Sequence, residues 1–384
     1  MELRKGEDGL NWPTPETGPE FIDAFIEEIQ TDKYKPLPTG IISIDKMLHG
    51  GFERGTLVTL GAAPGAGKTA ISQYILENMA KNGNDVLYIN LEMDRSQLLS
   101  RSIARTAYLN KNGTKFREDL TALDVRRGYQ WTKEQREQVF YAASLYREQI
   151  APHFIYNPEG VTNQLSDIKQ AIIKECERVM NQGRRAPIIC LDYLQIVECD
   201  AEDGGRAPDT AEGIKRILKT LEELAEKLET VILIIMANNR ASNKDGRGRI
   251  DSGRDTSNIE YAGDLMLTLT YTAIEDKEKI PTDQKDKDGN TIKKVVTVED
   301  IADLTDAARE RGEGTPLIAR RLCLKIVKSR STETGGKARF IFDGKHFTFE
   351  PDFGTEYNKQ YGATIEDPET YFGYMDKSRT IPPT

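Results

Sequence analysis

The stretch Ala62-Ala63-Pro64-Gly65-Ala66-Gly67-Lys68-Thr69 has the residue types and order to hold phosphate. A strand-like run, Thr56-Leu57-Val58-Thr59-Leu60, precedes it, and a helix-like run, Ala70-Ile71-Ser72-Gln73-Tyr74-Ile75-Leu76, follows. Strand, glycine loop and helix in that order make a P-loop. Gly65 and Gly67 let the backbone curl so that its N–H groups face phosphate oxygens, and the start of the helix adds partial positive charge. Lys68 can reach the β- and γ-phosphates, and the Thr69 hydroxyl can ligate Mg²⁺. Ala62 stands where the usual pattern has its first glycine, with Gly61 just before it, and so small a side chain still fits. The expected contacts with ATP are therefore Ala62, Ala63, Pro64, Gly65, Ala66, Gly67, Lys68, Thr69 and Ala70.

Two carboxylates complete the chemistry. Ile188-Ile189-Cys190-Leu191-Asp192 is an apolar strand ending in an acid, the pattern of a residue that holds Mg²⁺, usually through water. Alone that pattern is common; paired with a P-loop at this separation, it makes Asp192 the Walker B residue. Hydrolysis also needs a group that orients and deprotonates water near the γ-phosphate. Glu92, in Ile89-Asn90-Leu91-Glu92-Met93, closes the strand after the P-loop helix, and a carboxylate at a strand's carboxyl end faces the ligand crevice. The plainer alternative is an acid that only interacts with the dipole of the next helix.

Positioning these groups takes an alternating α/β framework, and residues 40–272 supply one. Strand patterns at 56–61, 86–91, 152–156, 187–191, 231–236 and 264–271 are separated by helical ones, which predicts a mostly parallel sheet. Asp94 with Gln97 and Thr132 with Gln135 have capping-box spacing. Over 211–228, Ile214, Ile217, Leu218, Leu221, Leu224 and Leu228 recur at helical spacing. Upstream, Phe21, Ile22, Phe25, Ile26 and Ile29 share one face of a short helix whose other face is acidic. So short a helix needs a partner for its apolar stripe.

Residues 275–316 read as a charged, solvated insertion with a small helix at 298–310. A calcium loop fails there, because Gln284 and Val295 occupy positions that need carboxylates. Strands resume at 320–327, 338–343 and 345–349. The expected organisation is an N-terminal segment with the amphipathic helix (1–36), an ATPase domain (37–350) and a tail (351–384).

Composition narrows the classes. The chain has 384 residues, 38% hydrophobic and 30% charged, with a mean hydropathy of -0.56. It has no apolar run of membrane-spanning length and no apolar leader after Met1, which predicts a cytoplasmic protein with no membrane partner. Cys176, Cys190, Cys199 and Cys323 form no C-x-x-C pair and read as packed, reduced thiols. A net charge of -9 argues against a broadly basic nucleic-acid surface, though a ring can keep a few basic loops in its channel.

Several further motifs together resemble the C-terminal motor domain of DnaB-type replicative helicases, in a phage or mobile-element version. Leu37-Pro38-Thr39-Gly40-Ile41-Ile42-Ser43-Ile44-Asp45-Lys46-Met47-Leu48 is similar to that domain's opening segment. Leu91-Glu92-Met93 with Gln97-Leu98, and Leu191-Asp192-Tyr193-Leu194-Gln195, match further signatures. Arg254-Asp255-Thr256-Ser257-Asn258-Ile259-Glu260 lies near the family's R-E-S-G-x-I-E, and Lys328-Ser329-Arg330 with Phe340-Ile341-Phe342 resembles its K-x-R element and closing hairpin. The resemblance spans about residues 21–350. It implies a RecA-like fold with a C-terminal antiparallel hairpin, and a homo-hexameric ring with ATP between subunits. Lys68, Thr69, Asp192 and Glu92 would act within a subunit, while Arg330, with Lys328 beside it, would be an arginine finger supplied to the neighbour. The helix at 21–30 would dock on the adjacent subunit.

The candidate contacts with single-stranded DNA are Lys244, Arg247, Arg249, Arg254 and Asp255, in and after a basic, glycine-containing loop. Lys and Arg interspersed with Gly suit sequence-independent phosphate contact. Two departures from the family stand out. Met236-Ala237-Asn238-Asn239-Arg240 replaces S-Q-L-N-R, leaving Asn238 or Asn239 as the γ-phosphate sensor. The family's N-terminal helical domain has no counterpart in residues 1–36, so a primase or loader partner does not follow directly. The implied activity is ATP-dependent unwinding by translocation on single-stranded DNA. The alternatives are a non-motor ATP-binding loading platform and a recombinase paralogue.

Overall fold

A computed structural model describes residues 3–5, 11–13, 18–62, 65–199, 211–237, 263–285 and 290–352. Ala63, Pro64, Asn238, Asn239, all five candidate DNA contacts and the tail beyond 352 lie outside the described residues.

Two short strands, β1 (Leu3–Lys5) and β2 (Asn11–Pro13), pair antiparallel ahead of helices α1 (Gly18–Ile29) and α2 (Ile42–Met47). The chain then alternates through β3 (Leu57–Ala62), α3 (Lys68–Lys81), β4 (Val86–Asn90), α4 (Arg95–Leu109), α5 (Ala122–Arg126) and α6 (Lys133–Gln149). It continues with β5 (Phe154–Tyr156), α7 (Leu165–Met180), β6 (Ile188–Asp192), α8 (Ala211–Lys227), β7 (Ile232–Ala237) and β8 (Leu265–Tyr271). Last come α9 (Thr272–Glu275), β9 (Lys279–Lys285), β10 (Thr291–Val295), α10 (Val298–Glu310), α11 (Leu317–Arg320), β11 (Arg321–Ser329), β12 (Lys337–Asp343) and β13 (Thr348–Pro351).

Among the described residues, nine strands form one sheet in the order β13-β12-β11-β8-β3-β7-β6-β4-β5. From β8 to β5 the neighbours are parallel, whereas β11, β12 and β13 are antiparallel. The mostly parallel sheet with an antiparallel C-terminal end is the architecture expected from the sequence. Each parallel strand of the centre is buried on both faces, which is why those segments read as continuous apolar runs rather than alternations. One face packs Val58 and Leu60 of β3 against Ile71, Ile75 and Met79 of α3, with Phe340 of β12 in the same core. The other packs Leu57, Leu191 and Ile234 against Ile168 and Ile172 of α7 and Ile217 and Leu221 of α8. Each such side chain contributes about 1.5–3 kcal/mol by leaving water. Asp94–Gln97 and Thr132–Gln135 both form the predicted reciprocal capping boxes.

Three details differ from the sequence reading. The segment 152–156 opens with a 3₁₀ turn over Ala151–His153 containing Pro152, so the strand starts at Phe154. The last strand begins at Thr348 rather than 345, because the turn before it is held by His346 Nδ1 against Asp343 Oδ2 at 2.6 Å. The insertion carries not only the expected helix α10 but also the β9–β10 hairpin and a small core of Ala273, Ile274, Val296 and Ile301. Its apolar residues are too widely spaced among charges to show a period. Its base is tied to the sheet by Glu275 with Lys325 (3.0 Å) and Lys337 (2.8 Å), and by Asp276 with Arg339 (2.6 Å).

The apolar face of α1 lies open, with Phe21, Ile22, Phe25, Ile26 and Ile29 between 44% and 62% exposed. No described helix is long and apolar enough to cross a membrane.

Candidate active site

The register brings the predicted catalytic groups to one rim. Ala62 at the end of β3 lies level with Ala237 of β7 and Leu269 of β8, and Asn90 of β4 lies level with Asp192 of β6. This is the carboxyl rim of a parallel sheet, where the chain crosses from β3 over to β4 and leaves a crevice. Gly65 (φ +79°) and Gly67 (φ +85°) both adopt the left-handed conformation that side chains resist. A Cβ on Gly67 would meet only the Phe342 ring, at an ordinary 3.6 Å, so backbone conformation rather than space demands glycine there. The helix starts at Lys68, with its first-turn N–H groups at this rim. Thr69 is buried, and Lys68 Nζ stands 5.6 Å from the centre of the Tyr193 ring.

Asp192 is fully buried. Its Oδ2 accepts hydrogen bonds from Tyr88 Oη and Asn90 Nδ2, both at 3.1 Å, whereas Oδ1 has no partner among the described residues. Burial pushes this carboxyl above the usual carboxylate range; Thr69, Tyr88 and Lys68 oppose the rise, and Glu92 adds to it. Glu92 therefore lies near enough to Asp192 for like-charge repulsion, with its side chain exposed.

Two neighbours of these residues escaped the sequence reading. Asn90 Oδ1 accepts from the backbone N–H of Glu92 (3.1 Å) and of Met93 (2.6 Å), while its Nδ2 donates to Asp192. One amide thus ties the turn bearing Glu92 to the Asp192 carboxylate. Arg101, on α4, is half-buried with its guanidinium 4.7 Å from the centre of the Phe347 ring, and makes no hydrogen bond or ion pair among the described residues. Burial lowers its pKa, and Tyr88, Asp192 and Glu92 oppose that shift. The signal for Asn90 was its place in the Ile-Asn-Leu-Glu-Met run; an arginine in an amphipathic helix gives none.

Lys328 and Arg330 are not brought to this rim. Strand β11 runs antiparallel to β8, so Ser329 pairs with Leu265, whose other neighbour is Val58 near the start of β3. Four steps of β3, Val58 to Ala62, separate that level from the start of the P-loop, roughly 13 Å at strand rise. Arg330 there pairs with Glu222 and Asp264, and Lys328 Nζ donates to the Gly263 carbonyl at 3.0 Å. Burial lowers the Lys328 pKa, and the adjacent Arg330 adds to that.

The family model described as "DnaB-like helicase C terminal domain" matches residues 36–350. The chain belongs to this DnaB-like family. Among curated relatives, the replicative DNA helicase DnaB of Geobacillus stearothermophilus is 25% identical over 237 residues, covering 61% of this chain and 46% of that protein. The replicative DNA helicase DnaC of Bacillus subtilis is 26% identical over 246 residues, covering 63% of this chain and 48% of that protein. The chain thus spans under half the length of either relative. A solved structure described as the ATPase domain of G40P superposes with a TM-score of 0.63 at 18% identity, covering 88% of this chain and 100% of the other. That likeness shows that the two share a fold.

Proposed function

We propose that this chain is the motor of a replicative-type DNA helicase, hydrolysing ATP with Mg²⁺ and translocating on single-stranded DNA as a homo-hexameric ring. The observation that carries the reading is the division of the catalytic set between opposite rims of one sheet. Lys68, Thr69, Asp192 and Glu92 share the carboxyl rim, while Lys328 and Arg330 lie toward the other, Lys328 roughly 10 Å and Arg330 more than roughly 13 Å back along the strands from the P-loop. Arg330 can therefore serve a nucleotide only on a neighbouring copy. Head-to-tail contacts of this kind close into rings where the rotation between copies closes and form filaments where it does not, and the open apolar face of α1 offers such a neighbour a second surface.

The residues present fit Mg²⁺ with ATP. Asp192 Oδ1 makes no direct hydrogen bond among the described residues and lies beside the Thr69 hydroxyl, which leaves an acceptor for a bound ion's ligand shell. No group of three or more His, Cys, Asp or Glu among the described residues could cage a metal. That suits an ion held by one or two protein oxygens, water and substrate phosphates. Thr69 and Asp192 would hold the ion, which neutralises charge on the β- and γ-phosphates when bound. Gly65 and Gly67 shape the phosphate cradle, and Lys68 reaches the terminal phosphates. Glu92 orients the attacking water and takes its proton, and the neighbour's copy of Arg330 stabilises charge on the transferring phosphoryl group. Lys244, Arg247, Arg249, Arg254 and Asp255 are assigned to DNA contact on sequence grounds. A primase or a helicase loader is the class of protein partner this reading adds.

The test is steady-state ATP hydrolysis against single-stranded DNA concentration, with the mass of the ATP-bound assembly measured on the same sample. DNA-stimulated turnover in a hexamer supports the motor. A rate indifferent to DNA points to an ATP-dependent loading platform instead, and a monomer under all conditions sinks the ring.

A further inference from the structure

Arg330 is held even in the isolated chain. Its Nη2 forms an ion pair with Glu222 Oε1 at 3.0 Å, and its Nη1 donates to Asp264 Oδ1. These are the nitrogens with which a guanidinium grips phosphate oxygens. Glu222 comes from α8 and Asp264 from just ahead of β8, so two separate elements converge on one side chain. The two acceptors differ in character. Asp264 is the fixed one, with a side chain only 13% exposed. Its Oδ2 accepts from Leu57 N–H at 2.8 Å, and its carbonyl accepts from Arg330 N–H at 3.0 Å. Glu222 is the looser, 31% exposed against a guanidinium that is 61% exposed.

We propose that Glu222 and Asp264 form a resting cradle for Arg330, a carboxylate pair that a neighbouring subunit's nucleotide must displace before the guanidinium can serve it. The inference rests on Arg330 acting across the subunit boundary. An ion pair this open to solvent is weak and easily exchanged, whereas a triphosphate offers more charge and bidentate acceptors. Asp264 keeps the root of the arm anchored to the start of the P-loop strand while the outer contact opens. Glu222 is thus a positioning residue that competes with phosphate for the same nitrogens and raises the ATP concentration needed for turnover.

The test uses the 384-residue chain without DNA, at sub-saturating ATP. Glu222→Gln removes the competing charge while keeping the shape, and turnover should rise about twofold to fivefold, the factor one such ion pair commands. Glu222→Ala should move it the same way, which guards against an effect peculiar to the amide. In an Arg330→Ala background Glu222→Gln should change nothing, whereas a general structural role would still act there. Unchanged or lower turnover in both Glu222 variants, with thermal unfolding as in the parent, overturns the cradle. A rise that persists in the Arg330→Ala background overturns it too. Arg330→Ala with parental turnover would instead defeat the cross-subunit role itself, so the two failures are distinguishable.

Discussion

At the carboxyl rim of the sheet, among the described residues, Asp192 is buried with one oxygen unpartnered and Arg101 is half-buried without an acceptor. At the amino rim, Arg330 is largely exposed yet held by two carboxylates. The contrast follows from what each rim must meet. A crevice that receives a charged ligand from solution can leave buried charges unpaired, because the ligand completes them. Under the proposed cross-subunit role, Arg330 spends the unassembled state in water. Carboxylates weak enough to yield can hold it there without locking it.

The comparison breaks most sharply at Arg330. Arg330→Ala is expected to lower ATP turnover of the assembled protein by about 10³–10⁵-fold, the effect of losing an arginine finger. Nucleotide binding should persist, measured by equilibrium titration beside steady-state kinetics. Next comes Glu92→Gln, expected to cost about 10²–10⁴-fold in turnover, the contribution of one positioned general base. ATP affinity should stay close to parental, since Glu92 is exposed and fixed by its backbone rather than by a phosphate contact. If both variants lose affinity as well as turnover, the two rims are not specialised as the contrast implies.

A smaller effect sharpens the carboxyl side. Arg101→Ala removes a guanidinium whose charged form Asp192 and Glu92 favour and that has no polar partner among the described residues, and should weaken triphosphate binding by about 10- to 100-fold, the worth of a charge-assisted hydrogen bond. Diphosphate binding should change less if Arg101 reaches the terminal phosphate, and calorimetry with both nucleotides separates the cases. The smallest effect concerns stability. The Asp192 carboxyl has a raised pKa in the folded state, so its favourable contribution is present in acid and is lost as pH rises through that folded value. Asp192→Asn should therefore raise thermal stability near neutral pH by about 1 kcal/mol. The gain should shrink as pH falls toward the acid range, and the added stability that Mg²⁺ with ATP gives the parent should be lost. Melting curves across pH, with and without Mg²⁺ and ATP, test all three statements.

Much of the carboxyl rim was legible because it is local. The candidate P-loop lies between one strand and the helix that follows it, Asp192 ends an apolar strand and Glu92 lies in the turn two residues past another, so their places follow from chain order alone. The capping boxes at Asp94 and Thr132 were equally local. Asn90 and Arg101 were not legible as partners, because each acts through residues on a different strand or helix, and neither interrupts the pattern of its own element. The β9–β10 hairpin stayed hidden for a related reason. Both strands are dominated by charge and exposed on much of their surface, so they show neither an alternation nor a buried run.

Chain order alone carries the α/β alternation, the candidate phosphate loop and the two candidate carboxylates, since each depends on residues within a few positions of one another. Only the tertiary structure decided that Lys328 and Arg330 stand a strand's length from the chain's own P-loop, and that Glu222 and Asp264 meet Arg330 there. Both depend on β11 running antiparallel beside β8. Strand direction and sheet order are set by packing between distant segments, which no local pattern records.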